Sequence, residues 1–240
     1  MAYADTMGRR RRRQSSKLHR IIAILLGFGI AGIAGAPVAY MLWPRSQAIA
    51  PDAPSVPISV GGMAFNVPPA AIRFRVQRRP GAQARIDLAF MWPSLSPPDS
   101  RIKPLPTDNP DITDRLFVTI AASDRTLSPV ERLMAIYPRY TAGASTVGPD
   151  GLSRQSFRQD SAYLGEELIH DPAAPERFLL RCSRQVGSTP AMCMHERRIG
   201  GADITIRFPR EWLTDWGAVA DGFDRLIASF KTTGFKPTPQ

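Results

Sequence analysis

The chain has 240 residues, 43% of them hydrophobic, and 31 Lys and Arg against 21 Asp and Glu give it a formal charge of +10. The first 20 residues hold +6 of that excess and leave +4 on the other 220. The basicity therefore belongs to one tail, which argues against a nucleic-acid-binding domain. No GxSxG elbow, HExxH or CxxC metal pattern, GxGxxG or GxxxxGKS/T loop occurs, so no enzyme class and no cofactor is predicted.

In chain order, residues 1–20 carry Arg9 to Arg13, Lys17 and Arg20 against Asp5 alone. Residues 21–43, from Ile21 to Trp43, then run 23 residues without a charge. At ~1.5 Å per residue that run reaches ~35 Å, enough for a ~30 Å hydrocarbon layer with some tilt. It is predicted as a single transmembrane helix. Tyr40 and Trp43 fall where an interfacial aromatic belt lies, and only Arg45 follows as a basic residue before Arg73. The asymmetry puts residues 1–20 in the cytoplasm, where they meet anionic lipid, and the bulk of the chain outside. A cleaved signal peptide is the rival, because Ala34-Gly35-Ala36 has the small-x-small form of a cleavage site. Pro37 directly after it, and apolar sequence continuing to Trp43, favour an uncleaved anchor. Ala23, Gly27, Ala31, Gly35 and Ala39 recur every fourth residue and make a ridge on which two spans can pack, as a homo-oligomer or against another protein.

Residues 44–57 hold four prolines and read as a semi-rigid tether. Residues 58–240 are then expected to form a periplasmic α+β domain. Ile58–Val60 and Met63–Val67 flank Gly61-Gly62, a two-residue hairpin signal. Ala71–Arg78 and Arg85–Trp92 alternate apolar and polar residues and are predicted as strands. Pro93 to Pro110 carries six prolines in 18 residues, is excluded from a central strand, and is the expected contact loop for a protein partner. Leu116–Ala122 returns to strand.

Ser128-Pro129-Val130-Glu131 predicts a capped helix start, with Val130, Leu133, Met134 and Tyr137 on one face and Pro138 as its stop. Leu152–Arg158, Ala162–Ile169, Arg177–Arg184, Ala191–Ile199 and Ala202–Phe208 are predicted as strands, the last two joined by Gly200-Gly201. From about Thr214 to Lys231 the stripe Trp216, Val219, Ala220, Phe223, Leu226, Ile227 and Phe230 predicts an amphipathic helix. The whole is an α+β domain: a many-stranded antiparallel sheet with the C-terminal helix packed on one face. Cys182 and Cys193, both in the exported part, are expected to form a disulfide.

Two geometric inferences concern candidate residues. Glu166 and Glu167 are strand neighbours, so they leave opposite faces and make no carboxylate pair. A two-residue turn at Gly200-Gly201 sets His195 opposite Ile206 and Arg197 opposite Ile204, on the side that also carries Cys193 and Phe208. Either His195 and Arg197 line a concave, anion-accepting rim, or, as the simpler reading, a β-bulge turns them outward. Of the other histidines, His170 ends a strand, and His170 with His195 is the pair that an envelope hydrolase or metal enzyme would use.

The element order, strands before and after a middle helix and a closing helix ending Leu226-Ile227-Ala228-Ser229-Phe230, resembles the PsbP/Mog1-like exported fold. The segments GGMAFNVPP (61–69) and LAFMWP (88–93) resemble uncharacterised membrane-anchored exported proteins of proteobacteria. The resemblance spans Val60 to Lys231 and implies fold and export without bringing functional residues. The expected function is a single-pass inner-membrane protein whose periplasmic domain binds or scaffolds a protein of the envelope. A regulatory anchor acting through its basic cytosolic tail is the further alternative.

Overall fold

The computed structural model describes residues 49, 53–99, 114–123, 126–184 and 190–230. The basic tail, the 21–43 span with its small-residue ridge, most of the tether and most of the proline-rich loop lie outside these residues. Among the described residues no helix is long and apolar enough to cross a membrane.

The two glycine-glycine turns behave as their spacing demands. Strands β1 (Val56–Val60) and β2 (Met63–Val67) pair antiparallel with Val60 opposite Met63. Gly61 and Gly62 both take positive φ, +57° and +79°, the combination a tight hairpin needs. Residues Val56 and Pro57, expected in the tether, already belong to β1. A two-residue strand, β3 (Gly81–Ala82), lies parallel to β1 and completes a small sheet.

The large sheet has eight strands, all antiparallel, built from β4 (Arg85–Met91), β5 (Arg115–Ala122), β6 (Thr146–Val147), β7 (Ser153–Ser156), β8 (Glu166–His170), β9 (Leu179–Ser183), β10 (Met192–Ile199) and β11 (Ala202–Pro209). Their spatial order is β4-β5-β11-β10-β9-β8-β7-β6. Period-two patterning decides which side of each strand is buried. Ile86, Leu88 and Phe90 of β4, Leu116, Val118 and Ile120 of β5, and Ile204, Ile206 and Phe208 of β11 share one face.

That face is covered by the C-terminal helix α2 (Trp216–Ser229), which buries Val219, Ala220, Phe223, Leu226 and Ile227. Asp215 caps it by accepting the Ala218 N–H, and a 3-10 segment, Arg210–Asp215, leads into it. The inward residues of the small sheet, Ile58, Val60, Phe65 and Val67, join the same core. The opposite face is covered at one end by a shorter helix, α1 (Pro129–Ala135), over a second cluster of Leu133, Tyr137, Phe157, Leu168 and Leu179. The capping box is complete, with Glu131 N–H donating to Ser128 Oγ at 3.2 Å and Ser128 N–H donating to the Glu131 carboxylate at 2.7 Å.

Three sequence expectations need correction. Residues 71–78 are not a strand: Ile72 makes one bridge to Leu88, and Arg75–Gln77 is a 3-10 turn. The edge of β4 is satisfied there by the Gln77 side chain, whose Oε1 accepts the Asp87 N–H at 3.0 Å and whose Nε2 donates to the Asp87 carboxylate at 3.1 Å. Alternation in this segment therefore marks exposed arginines around an exposed Phe74 and Val76, not a pleated face. Met134 is 73% exposed, because the stripe at Pro129, Leu133 and Tyr137 meets the sheet instead. Residues 162–165 form a turn, and β8 begins at Glu166.

Candidate functional site

The β10–β11 register runs without interruption from Ile199 opposite Ala202 to Met192 opposite Pro209. No bulge re-aims the side chains. His195 and Arg197 do face the core side, with His195 opposite Ile206 on β11 and Leu180 on β9. They diverge in environment. His195 is completely buried between the Phe178 and Phe223 rings, at 5.9 and 5.3 Å, so it lines no rim. Its Nδ1–H donates to the Leu179 carbonyl at 3.2 Å, while Nε2 is buried with no hydrogen-bond partner. Burial pushes its pKa down to about 4, with the Arg197 charge adding to the fall, so the imidazole is neutral at physiological pH.

Arg197 does reach a surface cleft, of about 600 Å³, between the start of α1, the end of β10 and the second half of α2. It is not open to an anion. Its guanidinium donates to Asp224 at 2.6 Å, and the same carboxylate accepts from Arg177 at 2.8 Å. Burial tends to raise the Asp224 pKa, but the two arginines outweigh it and hold the carboxyl below its usual value. The anion-accepting rim is thus closed by an internal counter-ion.

His170 and His195 do not converge. His170 is paired with Leu179 on β9, whereas His195 is paired with the next residue, Leu180. Adjacent strand residues leave opposite faces, so the sheet itself separates the two rings. Among the described residues no three His, Cys, Asp or Glu side chains gather as metal ligands. Cys182 and Cys193 are directly opposed on β9 and β10 and joined by a disulfide inside the main core.

A larger feature, invisible along the chain, lies at the other end of the helix-bearing face. A groove of about 990 Å³ is lined by residues of β7 and β8 and of the 3-10 segment that leads into α2. Leu213 forms part of its floor, and Pro149, Pro190 and Pro209 stiffen its walls. Its rim is charged. Arg154 of β7 donates to Asp150 at 2.8 Å, and Arg210, in the turn after β11, donates to Glu167 of β8. Arg184 reaches Ser156 Oγ at 2.6 Å. The hydrogen bond from Arg154 holds the Asp150 carboxyl below its ordinary pKa and raises that of the guanidinium. The Trp216 indole N–H donates to the Asp150 carbonyl at 2.9 Å and ties this turn to α2. The adjacent glutamates part as strand geometry requires: Glu166 meets Arg181 on one face and Glu167 meets Arg210 on the other.

The sequence reading missed this groove because its charges come from residues 150, 154, 167, 184 and 210, which only the β7-β8-β9 pairing and the turn after β11 bring together. One signal was present. Arg154 and Glu167 occupy core-side positions of their strands, where a continuous core would need apolar residues.

No protein-family model matches the chain, and no curated protein matches it. Two solved structures resemble it. One is Smlt3025, an immunity protein of the Stenotrophomonas maltophilia type IV secretion system, at 15% identity and a TM-score of 0.51, over 79% of this chain and all of that one. The other is FrpD, an iron-regulated outer membrane lipoprotein of Neisseria meningitidis, at 9% identity and a TM-score of 0.43, over 77% of this chain and 95% of that one. At 15% identity the likeness to Smlt3025 concerns fold alone. Neither carries the PsbP/Mog1-like description that the element order resembles.

Proposed function

We propose that this chain is a single-pass inner-membrane protein, anchored by residues 21–43, whose periplasmic α+β domain acts by binding a protein. The observation that carries the reading is the groove beside α2. It combines an apolar floor at Leu213 with an arginine-rich rim of Arg154, Arg184 and Arg210. Arginines around an apolar centre are a composition found at protein-binding hot spots. The rim ion pairs are a quarter to a third exposed on the arginine side, so a partner's carboxylates can compete for them.

The structure it resembles at a TM-score of 0.51 is that of an immunity protein of a type IV secretion system, which is compatible with the same direction. The buried, disulfide-closed core suits a domain held in an oxidising compartment. Binding here would be a matter of shape and charge, with the sheet as a rigid platform.

A photo-crosslinker placed at Thr214, on the groove, tests this in intact cells. One discrete protein should crosslink from Thr214 and not from the exposed Leu164, and Arg210→Glu should remove it. Equal crosslinking from both positions, or a Thr214 adduct indifferent to Arg210→Glu, would overturn the reading.

A further inference from the structure

We propose that strand β6, the free edge of the eight-stranded sheet, pairs with β6 of a second copy of this chain, so that two domains share one antiparallel sheet across a two-fold axis at Thr146. This edge is separate from the groove, and the proposal does not rest on the protein-binding reading given there.

The two edges of the sheet differ. At β4 the outer backbone groups are taken up: Arg73 N–H donates to the Asp87 carbonyl and Ala89 N–H to the Ala71 carbonyl, both at 2.9 Å, and Gln77 Oε1 accepts the Asp87 N–H at 3.0 Å. At the other end β6 is the last strand of the order. Val147 is paired with Ser153 of β7, and the adjoining Gly148 N–H donates inward to the Leu152 carbonyl at 3.0 Å. In an antiparallel ladder that makes Val147 and Ser153 a non-hydrogen-bonded pair, so the N–H and C=O of Val147 point away from β7. Ser145, two residues back, presents its own in the same direction. No hydrogen bond to these outward groups occurs among the described residues.

Composition leaves the edge open as well. Residues 142–147 are all exposed, Val147 by 65%. Between Arg139 and Pro149 the chain has neither a charge nor a proline. Charge and proline are the devices by which natural sheets block pairing at an edge. The cation nearest to it, Arg154, is neutralised by Asp150 at 2.8 Å, so no unpaired like charges would meet across the axis.

The edge also favours its own copy over a foreign strand. Strand addition by another protein takes its specificity from pockets that receive alternate side chains. Neither cleft described above is lined by any of residues 140–148, and the exposed side chains here are mainly those of Ala, Gly and Ser. A second β6 needs no pocket. Laid antiparallel with Thr146 on the axis, Val147 faces Ser145 of the other copy and Ser145 faces its Val147. The outward groups of the two copies then close about four hydrogen bonds, related in pairs by the symmetry.

The test uses the full chain in membranes of the cells that make it. Both native cysteines are in the buried disulfide, so Thr146→Cys adds one free thiol at the axis. Two such thiols would meet at a Cα spacing of about 4.5 Å, which a disulfide accepts. Mild oxidation should give about fivefold more covalent dimer from Thr146→Cys than from the exposed Leu164→Cys, and Ser145→Cys should crosslink to Val147→Cys on a differently tagged copy. Val147→Pro removes an outward N–H that the fold does not use. It should cut the dimer from position 146 about tenfold and leave the urea midpoint of the domain in place. Val147→Lys keeps the N–H but charges the edge, and should cut the dimer likewise even if the proline disturbs the strand. Dimer from position 146 no greater than from 164, a dimer indifferent to both Val147 variants, or an adduct from 146 to a different protein would each overturn the proposal. The photo-crosslink from Thr214 scores the groove separately, so failure of one leaves the other readable.

Discussion

Gly61 and Gly201 lie backbone against backbone, so that the turn of the β1–β2 hairpin rests on the turn of the β10–β11 hairpin. A Cβ on Gly61 would fall inside the carbonyl of Gly201, and one on Gly201 would fall inside the carbonyl of Gly61. The Gly201 carbonyl also accepts the Ser123 N–H at 2.8 Å, so it cannot simply rotate away. Gly61→Ala and Gly201→Ala should each destabilise by about 3 kcal/mol in urea unfolding, the cost of forced overpacking against backbone. Gly62 has open space around it at φ +79°, so Gly62→Ala should cost only about 1 kcal/mol.

The neutral, buried His195 makes stability depend on pH in a calculable direction. Its pKa is near 4 in the folded chain and 6.5 when solvated, so the unfolded chain takes up the extra proton as pH falls. The contribution is complete above pH 6.5 and is lost progressively as pH falls to about 4, by about 3 kcal/mol. His170, lowered in the same sense by burial, leaves a smaller dependence in that window, while the depressed carboxyls of Asp87 and Asp224 act at lower pH still. His195→Phe should keep the aromatic stack, remain within about 1 kcal/mol of the parent at neutral pH, and flatten the slope between pH 6.5 and 4. Urea midpoints across that range decide it.

Cys182 and Cys193 close a loop with a sequence separation of 11. Chain-entropy reasoning sets the loss on replacing both with Ala at about 3 kcal/mol. The same midpoint shift should follow reductant on the parent protein and have no effect on the double variant.

At the groove, Arg210→Ala leaves Glu167, which is only 18% exposed, without its guanidinium. Destabilisation of about 1 to 2 kcal/mol is expected, largely relieved by a second change of Glu167→Gln. A double-mutant cycle in urea measures the coupling. If the two effects simply add, the pair contributes nothing of its own.

These sites differ in how far the sequence exposes them. The hairpin registers were legible because Gly-Gly turns with period-two flanks leave one way to pair, and the position of His195 opposite Ile206 follows from counting alone. The burial of His195 was not legible, because it depends on Phe178 and Phe223 arriving from a loop and a helix. Arg197 read as a free cation for the same reason: Asp224, its partner, lies 27 residues further on. Residues 71–78 misled more deeply. Their alternation is real, but a glutamine side chain replaced the ladder that would have made it a strand. The groove drew its charges from four separate segments and left only two misplaced polar residues as a trace.

The aromatic rings between α2 and the sheet carry a practical consequence. Trp92 and Trp212 stack at 5.0 Å, Gly222 of α2 leaves the space that the Trp92 ring fills, and Trp216 sits against Phe178 at 5.3 Å. Every indole of the folded domain therefore lies along one seam, and the closely coupled pair should dominate the near-ultraviolet dichroism. Intrinsic emission will report when the helix lifts from the sheet, with no dye attached.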